Sequence, residues 1–390
     1  MTHNPSRQTV RAWLAIVLSV VMLLSLATPV AAALPAQPSD SGSQVALDAP
    51  DGGSQAAVAA PDGIAPAVND STVSFGVSGL DGISPLYPTS LQFGPDGRLY
   101  VATQTGTIYA YTVERTGAND YAVTGNETIA EISEIPNHDD DGSLNASVDG
   151  RLLTGIYVTG TADNPVIYAA STDPRIEVSN LNAPGDSLDT NSGVLSKLEW
   201  TGSEWQHTQL IRGLPRSEEN HGPNGIVMDE QNDTLYLAYG GNTNKGAPSD
   251  KFSYIPEYPY SAAILEVNLD EIGDAPYDLP TLQDPDGDTD PWGGMDGADM
   301  AIHTADSPVD VYSPGYRNPY DLVMTEDGHL YTVDNGANSG WGGTPVTDEA
   351  GQCTNIPHEE NSATTPDGLH LVTEGYYAGH PNPVRANPDG

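Results

Sequence analysis

The sequence predicts an all-β protein of the β-propeller type, and three observations carry that reading. One strand–turn–strand pattern recurs along the chain, its turns hold Asp-Gly or similar residues, and its spacing suits four-stranded units. The pattern is an apolar run, a turn rich in Asp, Asn or Gly, then Leu or Ile, Tyr, and further apolar or small residues. It runs first from Ser90 to Ala102, with Asp96 and Gly97 at the turn. It returns as Gly155 to Val158 ahead of Val166 to Ala170, and as Gly225 to Asp229 ahead of Thr234 to Ala238. The last copy spans Asp321 to Val333 around Asp327 and Gly328. Asp-Gly supplies the positive φ angles of a tight hairpin turn, and alternating Leu, Tyr and Val fill a half-buried strand. Tyr100, Tyr168, Tyr236 and Tyr331 are separated by 68, 68 and 95 residues. Weaker strands between them, at Thr107 to Thr112, Val194 to Trp200 and Ala262 to Val267, complete units that bury their faces only against neighbouring units. No amphipathic helix stands out after the first 33 residues. A β-sandwich with irregular loops is the alternative.

Charge narrows the function. The 390 residues hold 13 Lys+Arg against 54 Asp+Glu, a net charge of −41, which repels phosphate backbones and anionic membrane surfaces. No nucleic-acid partner is expected. The acidic residues are spread rather than blocked, as in a protein kept soluble in high salt, where screening removes most of their mutual repulsion. Phe at only 3 residues argues against a membrane helix bundle, while 41 Gly and 32 Pro promise many turns. Cys353 is the one cysteine, so neither an intrachain disulfide nor a cysteine metal cluster is possible.

Residues 1–33 read as a signal peptide. Arg7 and Arg11 precede the apolar run Trp13 to Leu26, and Ala31 to Ala33 offer small residues for cleavage. An uncleaved membrane anchor is the alternative, and in either case the rest of the chain works outside the cytoplasm, secreted or at the cell surface. Residues 34–73 are rich in Ala, Pro, Ser, Gly and Asp and read as a disordered linker. Residues 74–390 form the propeller domain. Sequons at Asn69, Asn126, Asn145 and Asn232 fit an exported surface protein.

In a propeller the connecting loops gather at the ends of a central channel, so chemistry is expected beside the repeated strands. Three stretches stand there. His221 follows Gly213-Leu-Pro and precedes Asn224, among glycines that let a ligand approach closely. Such a histidine suits a general base, or it is an ordinary loop histidine. Arg317 and Asn318 lie between Gly315 and Pro319, where a planar donor fork could hold a carboxylate or an oxyanion, or pair with a surface acid. Asp334 to Gly343 is a Gly- and Asn-rich loop containing Gly336 and Ala337, whose backbone carbonyls are hard oxygen donors suited to calcium. An ordinary glycine-rich loop reads the same way.

Gly-Leu-Pro, five residues and His, then Gly-x-Arg-Asn-Pro, then Asp-x-Gly-x-Asn, in that order, resembles the soluble quinoprotein glucose/sorbosone dehydrogenase family over about Pro88 to Gly343. The resemblance implies a six-bladed β-propeller that oxidises sugars with pyrroloquinoline quinone (PQQ) and calcium. Carried over by position, His221 is implied as the base that takes a sugar hydroxyl proton. Arg317 would stabilise developing negative charge, Arg317, Asn318 and Asn224 would contact the quinone, and the Gly336 and Ala337 carbonyls would bind the cofactor's calcium. A small-molecule sugar and an unknown electron acceptor are the implied partners.

The sequence also departs from the family. Arg151 stands where a Gln or Glu facing sugar and cofactor is usual, and Ala238 to Asn242 lacks the acidic residue often found after that strand. Pro388-Asp389-Gly390 looks like the opening of another hairpin, so the family's last blades are expected beyond it and the ring in this chain is expected to be incomplete. These departures keep a second reading open, a non-catalytic cell-surface propeller that binds glycans or protein. A separate possible calcium loop is Asp284, Asp286, Asp288 and Asp290, with carboxylates at alternate positions, an acidic insertion loop being its alternative. The run His138 to Asp141 is a weaker cluster, and Cys353 is expected to be incidental. No Gly-x-Ser-x-Gly hydrolase elbow is present.

Overall fold

The computed structural model describes residues 79–83, 85, 87–176, 188–359 and 362–387. The chain divides into two units, Met1–Val73 and Ser74–Gly390, and every described residue belongs to the second. The predicted signal peptide and linker lie outside the described residues.

Four antiparallel meanders follow one another along the chain. The first holds β2 (Pro88–Phe93), β3 (Leu99–Thr103), β4 (Ile108–Arg115) and β5 (Tyr121–Ile129), with the short β1 (Leu80–Asp81) added in parallel to β5. The second holds β6 (Leu152–Gly160), β7 (Pro165–Thr172), β8 (Gly193–Trp200) and β9 (Trp205–Leu214). The third holds β10 (Pro223–Asp229), β11 (Thr234–Tyr239), β12 (Ala263–Asn268) and β14 (Val309–Pro314). Between β12 and β14 an insertion adds β13 (Tyr277–Asp278) in parallel to β9 of the preceding sheet. The fourth sheet holds β15 (Pro319–Met324), β16 (Leu330–Asp334) and β17 (Gly368–Val372), and a four-residue helix α1 (Pro383–Ala386) follows. Among the described residues no helix is long and apolar enough to cross a membrane.

The packing separates a propeller from a sandwich. The first strand of each sheet lies against the first strand of the next, β2 on β6, β6 on β10, and β10 on β15. Three of the apolar clusters correspondingly lie between consecutive sheets, where a sandwich would have one slab between two. Ile108 and Tyr100 pack with Leu153 and Ile167; Leu195 and Ile211 with Leu235 and Leu265; and Ala238 and Ile264 with Leu322 and Val372. The four repeated tyrosines all fall on second strands, β3, β7, β11 and β16. The insertion between β12 and β14 lengthens the last tyrosine interval.

A device invisible in the sequence repeats with the sheets. Each first strand carries a bulge near its start, between Pro88 and Ser90, Leu153 and Gly155, Pro223 and Ile226, and Pro319 and Asp321. The extra residue turns its side chain onto the next first strand. Thr89 Oγ1 donates to Leu153 O at 2.7 Å, Thr154 Oγ1 donates to Pro223 O, and Asn224 Nδ2 donates to Pro319 O at 2.9 Å. Close approach of these strands also explains two glycines of the repeated pattern. A Cβ on Gly155 would collide with Asn224 O, and one on Gly225 would lie 2.6 Å from Asp321 Cα.

Candidate active site

Strand direction brings the three predicted stretches to one end of the sheets. In an antiparallel pair, the start of one strand faces the end of its partner. Pro223 opposite Tyr239, Tyr239 opposite Ala263, Ala263 opposite Pro314 and Pro319 opposite Asp334 therefore mark a single rim. His221 precedes β10, Gly240 to Asn244 follow β11, Arg317 and Asn318 precede β15, and Gly336 and Ala337 follow β16.

His221 is buried, and its loop is held by Arg216, whose guanidinium donates to the carbonyls of Ser217, Glu219 and His221. His221 Nδ1 lies 2.9 Å from Gly241 O. A carbonyl only accepts, so Nδ1 carries the proton in the neutral ring and Nε2 keeps its lone pair. Nε2 lies 4.0 Å from Glu219 Oε2, and the ring packs on Phe252 with centroids 5.3 Å apart. Burial, then the positive charge of Arg317, lowers the imidazole pKa to about 3. The ring is neutral at physiological pH.

Arg317 is buried too, with its Nε donating to Asn244 Oδ1 at 3.0 Å. Arg98, Arg175 and Arg212 each hold carboxylates in ion pairs, whereas no carboxylate pairs with Arg317 among the described residues. Burial lowers its pKa, while Asp334, Glu219 and Glu257 oppose that from a distance. Asp334 instead accepts from the backbone amides of Arg317, at 3.1 Å, and Asn318, at 2.7 Å. The Asn318 side chain accepts from Asn224 Nδ2 at 2.8 Å. Both asparagines predicted as quinone contacts thus also lock β10 to β15.

The segment after β11 joins the motifs. Gly241 N donates to Arg317 O at 2.7 Å while Gly241 O takes the His221 proton. Asn244 Oδ1 accepts from Arg317 Nε and also from Asn338 N at 2.9 Å, tying in the loop after β16. Only glycine fits at Gly240, where a Cβ would lie 2.7 Å from Asn318 Oδ1 and 2.8 Å from His221 Cβ. His221, Arg317 and Asn318 therefore share one small volume, and a continuous hydrogen-bonded path reaches the residue after Ala337.

Gly336 and Ala337 sit on that loop with their amides engaged, Gly336 N by Asp367 at 2.9 Å and Ala337 N by Thr365 Oγ1 at 2.7 Å. Ala337 O accepts from Thr365 N at 3.2 Å and so retains one lone pair. Among the described residues no group of three or more His, Cys, Asp or Glu side chains is placed to hold a metal ion. Of the two readings left open for Asp284, Asp286, Asp288 and Asp290, the calcium loop finds no convergence of the four carboxylates among the described residues. Asp284 turns back onto Thr289 N and Oγ1, and Asp290 is drawn away by Arg212 at 2.9 Å. Arg151 does not take the ligand-facing place of the Gln or Glu it replaces. It is fully buried and donates to Asn137 Oδ1 and to the carbonyls of Ser171 and Ser192, a bolt between loops rather than a ligand-facing group.

Several site residues escaped the sequence reading. Asn244 and Phe252 arrive on the stretch between β11 and β12, as does Glu257, which pairs with His380 at 2.8 Å. Glu257 is fully buried. Its position between Pro256 and Tyr258 was the one local cue, and it is faint among 54 acids.

No family model matches the chain, and no curated protein matches it. Among solved structures the chain is similar to the PQQ-bound form of aldose sugar dehydrogenase from Streptomyces coelicolor, at 15% identity and TM-score 0.38, covering 78% of this chain and 68% of that one. It is similar to an oxidoreductase, described as a glucose dehydrogenase, from Thermus thermophilus, at 20% identity and TM-score 0.41, covering 77% and 66%. It is also similar to the holo PQQ domain of pyranose dehydrogenase from Coprinopsis cinerea, at 12% identity and TM-score 0.39, covering 76% and 52%. The chain thus spans between about half and about two thirds of these structures, from 52% to 68%.

Proposed function

We propose that this chain is an exported oxidoreductase that oxidises an aldose or related sugar with PQQ and calcium. One observation carries the reading: a neutral His221 with a free Nε2 lone pair shares a site with Arg317, a buried cation that no carboxylate pairs with among the described residues. A buried unpaired guanidinium is costly unless an anion completes it. The terminal amino groups of Arg317 fit a carboxylated cofactor, and Asn318 is the next residue along the chain. Calcium fits the Gly336 and Ala337 carbonyls less fully, since Ala337 O already holds one partner. PQQ, when bound, supplies the two-electron acceptor that these side chains lack.

The chain's own residues do the rest. Gly241 O orients the ring, so Nε2 is the atom that takes the sugar hydroxyl proton. A base works best with a pKa near the working pH, and the free site holds His221 well below that. An anion set against Arg317 offsets the second cause of that depression and raises the imidazole toward the useful range. Arg317 then balances negative charge that develops as the proton leaves. Phe252, fully buried between the His221 ring and Trp341, keeps water from that face of the imidazole.

The full-length protein, loaded with PQQ and calcium and given aldoses and a dye acceptor, tests the reading. Turnover is expected, with His221→Ala lowering it by about a hundredfold or more, in the range of lost general-base catalysis. Turnover no higher than that of His221→Ala would favour the non-catalytic, glycan- or protein-binding propeller.

A further inference from the structure

What sets the His221 ring is the segment Gly240 to Asn244, and that segment is itself held by one carboxylate. Glu257 Oε2 accepts from Asn242 N at 2.9 Å and from Ser261 Oγ. Glu257 Oε1 accepts from Thr243 Oγ1 at 2.6 Å and from His380 Nε2 at 2.8 Å. Four donors saturate an ionised carboxylate, and an ionised carboxylate can only accept. Two of the four lie on the segment, at the two residues after Gly241. A Cβ placed on Gly241 would lie 2.7 Å from Glu257 Oε1, so the carboxylate is packed directly against the residue that holds His221.

The carboxylate also has an electrostatic place. These hydrogen bonds hold its pKa down at about 2, against the burial that would raise it, so it stays ionised. It is one of the negative groups that act on Arg317 and His221. Sequence alone showed no acid after β11. In the folded chain an acid does stand against that segment, delivered from 16 positions beyond Gly241.

We propose that Glu257 is the positioning residue of this site, its buried carboxylate holding Asn242 and Thr243 so that the Gly241 carbonyl fixes the His221 ring and its Nδ1–H tautomer. The proposal rests on His221 being the base. A charged acceptor is needed because an amide at this place would set an N–H₂ group against donors. Thr243 adds a second layer, since its Oγ1 also accepts from Gly246 N at 2.7 Å and so closes the end of the segment.

The test uses the full chain and two independent readouts. Nitrogen NMR of the histidine rings, without cofactor, is expected to show His221 as a single Nδ1–H tautomer in the wild type and as a mixture in Glu257→Gln. With PQQ and calcium added, Glu257→Gln is expected to lose turnover by about a hundredfold, the scale of a misplacement of about 1 Å. Its quinone affinity should be unchanged or tighter, because a negative charge near Arg317 has been removed. A merely structural role would weaken turnover and affinity together. Glu257→Asp, which keeps the charge, is expected to recover part of the turnover. If Glu257→Gln does not fold, Thr243→Val, which removes one of the four donors, should shift the tautomer in the same direction by less. Wild-type histidine signals in the folded variant would overturn the proposal. A shifted tautomer with no sugar oxidation in the wild type would leave the positioning role standing and remove the sugar-oxidising reading.

Discussion

At the scale of single residues, burial decides which titrations matter, and two of them have opposite signs. His221 titrates at 6.5 in its ordinary state and at about 3 when folded. Between those values the unfolded chain binds a proton that the folded chain refuses, so this group makes stability fall as pH drops. Asp189 goes the other way. Burial pushes its pKa from 3.8 up to about 7, and its Oδ2 has no hydrogen-bond partner among the described residues. The folded chain there keeps a proton that the unfolded chain releases, so this group makes stability fall as pH rises between those values. Thermal unfolding over about pH 4 to 7 should therefore separate the variants. His221→Gln is expected to gain on the wild type as pH drops, and Asp189→Asn to gain as pH rises. Parallel curves for all three proteins would contradict both assignments. The residue scale also shows why parts of the site were unreadable in sequence. His221 and Arg317 stand in local patterns with glycine and proline, whereas Asn244 and Glu257 are defined by what they touch across the fold. The two readings left open for Asp284 to Asp290 differ for the same reason, because Arg212 competes for Asp290 and alternation cannot reveal that.

At the scale of elements, the hairpins were legible and the joints between sheets were not. Asp-Gly turns and Leu-Tyr-Val strands are local chemistry, and they phase all four second strands correctly. The joints depend on Thr89, Thr154 and Asn224, whose role between sheets appears only once a bulge aims each at the next sheet. Gly155 and Gly225 belong to the same joints. Gly155→Ala is expected to destabilise the domain by about 1–3 kcal/mol or more, since backbone rather than a flexible side chain blocks the new methyl. Thr154→Val is expected to cost about 1 kcal/mol through the unpaired Pro223 carbonyl. Denaturant midpoints measure both. A Gly155→Ala midpoint equal to wild type would mean that β6 and β10 are further apart than described.

At the scale of the whole molecule, the charge of −41 acts on everything at once. Its exclusion of phosphate partners stands on the same field that makes Arg317 informative. Among the described residues buried Arg151 and Arg216 also lack an ion pair, but carbonyls take up their guanidiniums, whereas Arg317 donates to the side chain of Asn244. Mutual repulsion destabilises the compact state at low salt. The melting temperature is expected to rise from about 0.1 M to about 1 M salt, as the Debye length falls from roughly 10 to 3 Å. A flat or falling curve would contradict a salt-adapted reading. The flanking sheets add a second global feature, since Leu91 and Phe93 on β2 and Leu369 on β17 are 67%, 60% and 75% exposed.

The loops before β10, after β11 and before β15 meet, and in the proposed mechanism Arg317 receives an anion there and His221 responds to it. Equilibrium titration of PQQ, with calcium, into the wild type and Arg317→Met measures this most directly, read by quinone binding and by the His221 ring nitrogens in the same samples. Saturable binding that raises the His221 pKa, weakened by about tenfold or more in Arg317→Met as a charge-assisted contact is lost, is the predicted result. Equal binding by the two proteins, or binding that leaves the His221 signals unmoved, would contradict it.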